Sequence, residues 1–134
     1  MALVGGSLVL PTPASAANAR ESRLIARINT ARINHDLPPL RPRARLIDYA
    51  HQHARAMAAA QYLFHTVNFE VVCCWSRIAE NVGYDATVRR VHRAFMASAA
   101  HRANILTPGM RGVGVGIVKR DGRLWVTEVF RRPT

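Results

Sequence analysis

The chain has 134 residues, of which 49% are hydrophobic and 20% charged. That length and balance fit one globular domain and exclude a disordered or collagen-like chain, while two cysteines are too few for a disulfide-dense mini-protein. Nineteen basic residues against eight acidic ones give a net charge of +11, a field that attracts polyanions. Nearly every base is arginine, and Arg23, Arg45, Arg90 and Arg123 are spread along the chain rather than run together. No dedicated nucleic-acid site is therefore expected. No uninterrupted apolar run reaches the ~18 residues that a membrane-spanning helix needs.

Residues 1–16 read as an export segment. Met1 to Leu10 is apolar and small, Pro11-Thr12-Pro13 breaks a helix, and Ala14-Ser15-Ala16 has the small-x-small pattern of a signal-peptidase site. The positively charged leader that usually precedes such a run is missing here. A mature domain over 17–134, starting near Ala17, is expected.

Asn18 and Glu21 have capping-box spacing, and Leu24, Ile25, Ile28, Ala31 and Arg32 follow at helical period, which predicts a first helix over 19–34. Asp36-Leu37-Pro38-Pro39 ends it, because proline has no N–H and restricts its predecessor. A second helix is predicted over 43–62, with Leu46, Ala50, His53, Ala54, Met57 and Ala58 on one stripe. Phe69 to Trp75 reads as a short strand or ordered loop. Asp85 is placed to cap a third helix over 86–98, facing inward through Val88, Val91, Phe95 and Met96. Ser98 is placed to cap a short helix from His101 to Leu106.

The last quarter changes to period two. Val113, Val115 and Ile117 alternate with Gly112, Gly114 and Gly116, and Asp121-Gly122 separates this run from Leu124–Phe130. An Asp-Gly pair between two such runs predicts a hairpin of 112–118 with 123–130. The glycine face admits close approach of another backbone, most simply that of a helix. Helices followed by an antiparallel hairpin indicate an α+β domain.

Three residues stand out as candidates for chemistry: His65, Glu80 and His101. Their spacing alone is no compact metal motif. Of the other histidines, His35, His51 and His92 read as solvent-facing and His53 as a satisfied core residue. Ser98 and His101 stand three apart, but capping accounts for Ser98, and the sequence offers no orienting carboxylate for a nucleophile pair. Cys73 and Cys74 are adjacent, with Cα atoms ~3.8 Å apart, nearer than an ordinary disulfide allows, so the reading leaves open a strained vicinal bridge, free thiols or an intermolecular link.

The local contexts add a resemblance. Asn29-x-x-Arg32, Leu37-Pro38-Pro39-Leu40, Ala50-x-x-His53-Ala54-x-x-Met57 and Phe64-His65 come in order. Ala79-Glu80-Asn81-Val82-Gly83 and Phe95-Met96-x-Ser98-x-x-His101-Arg102-x-Asn104-Ile105-Leu106 follow. Gly112 to Gly116 and Trp125-x-Thr127-x-x-Phe130 close the series. From about residue 22 to the end the chain resembles the CAP superfamily of cysteine-rich secretory, antigen five and pathogenesis-related proteins, most of all its short bacterial secreted members.

The resemblance implies a three-layer α-β-α sandwich around a small central antiparallel sheet, and a cleft in which His65, Glu80 and His101 meet. It also implies that these three are the ligands of a divalent cation such as zinc, which folding would not require. Ala79 stands where the family has glycine, Phe95 where it has tryptophan, and Ser98 occupies the motif position near which a second acid would lie. The function implied is a secreted or wall-associated, monomeric binding module for a metal, lipid or peptide. The alternatives are a metal-dependent or acid–base hydrolase using the same cleft and a basic surface protein that adheres to anionic wall polymer or lipid.

Overall fold

The computed structural model describes residues 13–134. Four helices and four strands follow in the order α1 (Pro13–Asn34), β1 (Arg41–Pro42), α2 (Ala44–Ala60), β2 (Trp75–Asp85), α3 (Val88–Ala97), α4 (Ala99–Ile105), β3 (Gly112–Arg120) and β4 (Arg123–Pro133). The sheet order is β1-β3-β4-β2. β4 pairs antiparallel with both β3 and β2, and β1 pairs parallel with β3. The sheet is therefore mixed, not wholly antiparallel as expected. The two-residue β1, held by Arg41 N–H to the Arg111 carbonyl and Arg43 N–H to that of Val113, is too short to show a sequence period.

Alternation along β3 and β4 sorts the core into two layers. Val113, Val115, Ile117, Leu124, Val126 and Phe130 pack with Leu24 and Ile28 of α1, Val91 and Phe95 of α3 and Ile105 of α4. On the opposite face, Leu46 and Ala50 of α2 meet Val129, and Met57 and Ala58 meet Val82 and Trp125. The result is the α-β-α sandwich that the sequence implied. The glycine face of β3 lies against α2, as expected: a Cβ on Gly114 would fall 2.2 Å from the Leu46 carbonyl carbon, and one on Gly116 equally close to that of Ala50. Asp121 and Gly122 take positive φ angles of 50° and 74° in the hairpin turn, the conformation for which Asp-Gly is suited.

Residues 1–12 of the expected export segment lie outside the described residues, and residues 13–16 open α1. Asn18 is thus inside a helix and caps nothing. Glu21 turns inward instead: its carboxylate accepts the Ile117 N–H at 3.1 Å and pairs with His51 of α2, so His51 is no free surface histidine. Burial raises the Glu21 pKa, opposed by His51 and by the Ile117 N–H. Of the two readings for Phe69–Trp75 the ordered loop is the one formed, with a 3-10 turn at Glu70–Val72, and of the alternatives for Cys73 and Cys74 it is the vicinal disulfide. The long strand β2, over residues 75–85, was not foreseen, since Asn81, Gly83 and Asp85 interrupt its apolar pattern. α3 is capped by Thr87, whose hydroxyl accepts the Arg90 N–H at 3.2 Å, while Asp85 accepts the Ala86 N–H and pairs with the Arg90 guanidinium at 2.8 Å instead of capping the helix.

Arg32 fastens the far end of α1. It is fully buried, and its guanidinium donates to the carbonyls of Pro38 (2.9 Å), Ile105 (2.9 Å), Thr107 (3.0 Å) and Met110 (3.5 Å). Asn29 adds a two-way amide pair with the Leu40 backbone. The Asn29-x-x-Arg32 motif therefore ties α1 to the loops that enter β1 and β3.

Candidate functional site

β2 is an edge strand, and consecutive residues on it point to opposite faces. Glu80 faces α2 and the segment following it; Asn81 faces α4. This alternation organises the whole site.

On the first face, the Glu80 side chain is 3% exposed and accepts three hydrogen bonds. His65 Nδ1–H donates to Oε1 at 2.9 Å, the Thr66 N–H donates to the same oxygen at 2.9 Å, and the Thr66 hydroxyl donates to Oε2 at 2.5 Å. Behind Thr66, the Tyr49 hydroxyl donates to Thr66 Oγ1. Burial keeps the Tyr49 phenol protonated, raising its pKa; the Thr66 contact opposes this and the Glu80 charge adds to it. His53 Nε2–H donates to the Phe64 carbonyl at 2.7 Å, with Nδ1 3.4 Å from Thr66 Oγ1. The 64–66 backbone is thereby clamped between α2 and β2. His65 itself is 63% exposed, so it presents an oriented imidazole edge to solvent above a buried carboxylate.

A cavity of about 730 Å³ opens beside this clamp, walled by Tyr49, His53, Phe64, His65, Thr66 and Val67, with Arg45 and Asp48 among its polar lining. Val67 is fully exposed, and Tyr62 and Leu63 nearby are exposed large apolar side chains.

On the other face, Asn81 and Asn104 make a buried amide ladder. Asn81 Nδ2 donates to the His101 carbonyl (3.1 Å) and to Glu128 Oε2 (3.0 Å), and Asn104 Nδ2 donates to Asn81 Oδ1 (2.9 Å). Glu128 is fully buried on β4, with its other oxygen unpartnered among the described residues, and burial pushes its pKa up to about 8 against the lowering effect of Asn81. The carboxyl is therefore largely neutral at neutral pH. His101 stands at the start of α4, its ring 5.0 Å from that of Phe95. Burial, then the charge of His65, hold its pKa below the usual histidine range, so the imidazole is neutral at neutral pH. Ser98 occupies the cap position of α4, but its hydroxyl makes no cap bond; it lies 2.8 Å from His101 Nδ1. No carboxylate hydrogen-bonds His101 among the described residues, so the Ser-His contact lacks the orienting acid of a hydrolytic triad.

His65 and Glu80 are thus in direct contact, while His101 reaches the same strand through its carbonyl and Asn81. As a zinc set the three fit poorly. Both Glu80 oxygens are committed to Thr66, which leaves Nε2 of His65 and of His101 as the donors without partners among the described residues; a catalytic zinc takes three protein ligands. Among the described residues no group of three His, Cys, Asp or Glu is placed to hold a metal ion. Thr66, Tyr49 and Glu128 escaped the sequence reading, because hydroxyls and a single Glu inside an apolar strand carry no spacing signal. Asn81 and Asn104 had stood only as motif letters.

The fold has known counterparts. An extracellular protein containing an SCP domain from Bacillus anthracis superposes with a TM-score of 0.78 at 22% identity, covering 93% of this chain. This chain spans 45% of that protein's length. An outer surface protein from Borrelia burgdorferi gives 0.77 at 17% identity, covering 84% of this chain and 92% of that one. A cysteine-rich secretory protein from Staphylococcus aureus gives 0.73 at 21% identity, covering 92% of this chain and 41% of that one. No curated protein matches by sequence. The model of the cysteine-rich secretory protein family, CAP, matches residues 25–130, which takes in the clamp, the amide ladder and both strands of the hairpin; the chain belongs to that family.

Proposed function

We propose that this protein is a secreted binding module whose ligand enters the cavity beside His65. The observation that carries the reading is the pairing of an exposed imidazole, fixed from below by Glu80, with a cavity of about 730 Å³ whose wall mixes Tyr49, Phe64 and Val67 with polar groups. Pockets of this size and mixed lining suit small amphipathic ligands, with the polar groups fixing orientation. The ligand class that this supports is a lipid-like molecule with a polar head near His65 and Arg45. Metal binding at His65, Glu80 and His101 is not needed for the reading, and the hydrogen bonding of Glu80 argues against it. Export is supported by the Ala14-Ser15-Ala16 pattern and by the extracellular or surface description of the similar bacterial proteins.

A fluorescent medium-chain fatty acid tests the proposal. Wild type should bind it, and His65→Ala and Val67→Asp should each weaken binding by about tenfold, the equivalent of one well-placed polar or apolar contact. Absence of binding, or equal binding by all three proteins, would overturn it.

A further inference from the structure

Four arginines and the single lysine converge in space. Arg20, Arg23 and Arg27 stand one turn apart on α1, Arg89 lies in the first turn of α3, and Lys119 is the last but one residue of β3; all five line one hollow of about 320 Å³. No acidic residue is among its walls, and none of the five cations forms a salt bridge among the described residues. The nearest carboxylates by sequence are engaged elsewhere, Glu21 with His51, Asp85 with Arg90 and Asp121 with Arg120. Like charges repeated at i, i+3 and i+7 on a helix repel one another, so the cluster is unfavourable until an anion neutralises it.

The rest of the hollow suits the same kind of guest. Its floor is apolar, formed by the buried side chains of Val88 and Leu124, which lowers the local dielectric and strengthens charge attraction. Val88 and Arg89 are the first two residues of α3, whose N–H groups have no acceptor within the helix. Guanidinium forks match the tetrahedral oxygens of phosphate two at a time. At about 320 Å³ the space is near the lower limit of small-ligand sites, enough for a compact, highly charged head.

We propose that this hollow binds compounds bearing linked phosphate groups, held by Arg20, Arg23, Arg27, Arg89 and Lys119. It lies apart from the His65 cavity and shares no lining residue with it. The diphosphate could belong to a free solute or to a lipid headgroup, and two arms of one experiment distinguish them.

Pyrophosphate is titrated calorimetrically into the full chain, with sulfate at matched ionic strength as reference. A 1:1 complex with pyrophosphate, tighter than that with sulfate, is expected. Arg23→Gln/Arg89→Gln should weaken it by about tenfold, while the charge-matched Arg55→Gln/Arg77→Gln, at exposed sites elsewhere, should change it less than about twofold. Removing repulsion should leave the melting temperature of the first double variant at or above that of wild type, which separates lost binding from lost fold. In the second arm, the protein is sedimented with phosphatidylcholine vesicles carrying farnesyl diphosphate. Co-sedimentation abolished by Arg23→Gln/Arg89→Gln assigns the diphosphate to a lipid; pyrophosphate binding without co-sedimentation assigns it to a solute. Absence of pyrophosphate binding, equal affinity for sulfate, or equal weakening by the two double variants would overturn the proposal.

Discussion

The Glu128 carboxyl and the Asn81 amide meet 3.0 Å apart, both fully buried between β2, β4 and α4, and no other protein group reaches the acid among the described residues. One hydrogen bond is too little to hold an ionised carboxylate away from water, so the acid keeps its proton up to about pH 8. The same Asn81 amide group holds the His101 carbonyl, which links the protonation of a buried strand residue to the backbone of α4 at His101.

The sign of the pH effect follows from that raised pKa. Between the ordinary glutamate range and about pH 8, the native state binds a proton at Glu128 that the unfolded chain has released. Its contribution is fully present below the unfolded pKa and is lost as pH rises through that window, at up to about 1.4 kcal/mol per pH unit. Glu128→Gln carries no titrating proton. The difference in urea unfolding free energy between wild type and this variant should therefore drift in the variant's favour from pH 5 to pH 8. A difference independent of pH would contradict the assignment.

Gly116→Ala should unfold the protein or cost it upwards of about 3 kcal/mol, the top of the range for overpacking. The added methyl would sit 2.2 Å from the Ala50 carbonyl carbon, which is backbone and cannot rotate away. Gly122→Ala meets no atom, and its loss should come only from the positive φ, on the order of 1 kcal/mol. Chemical denaturation of the two variants side by side checks this ranking.

Arg32→Lys should be nearly as damaging as Arg32→Ala. The guanidinium serves four carbonyls on three sides, and a point ammonium cannot reproduce that fork. Each carbonyl left buried and unpaired costs about 1–3 kcal/mol, so a loss of more than about 4 kcal/mol is expected from thermal or denaturant unfolding.

Zinc should bind weakly. Nε2 of His65 and of His101 have no partner among the described residues, and recruiting Glu80 would cost its bonds to Thr66. Calorimetric titration near neutral pH should give a shallow isotherm that weakens further in acid, as protons compete for imidazole, and that is reduced in His101→Ala. Thr66→Val frees Oε2 of Glu80 from its side-chain partner while the residue 66 N–H stays on Oε1, and it should tighten zinc binding relative to wild type.

Much of the architecture was legible in residues whose signal is local. The valine-glycine alternation of 112–117, the Asp-Gly turn and the apolar stripe of α2 each specify a conformation within one turn or one strand, because backbone sterics and period act over a few residues. His65, Glu80 and His101 were legible as candidates through the company they keep in order along the chain. What the tertiary structure decided is where long-range partners fall. β1 is two residues long and exists only because β3 offers its edge; β2 carries Glu80 and Asn81 to opposite faces, which separates the acid that clamps His65 from the amide that holds α4. Ser98 left its expected cap bond for an imidazole, and cations dispersed from Arg20 to Lys119 came to surround one hollow. Sequence order fixes periods and turns because those interactions span a few bonds. Hydroxyl partners, carboxyl protonation and charge clusters depend on what the folded sheet and helices place within a few ångströms, and the linear chain does not encode that in any spacing.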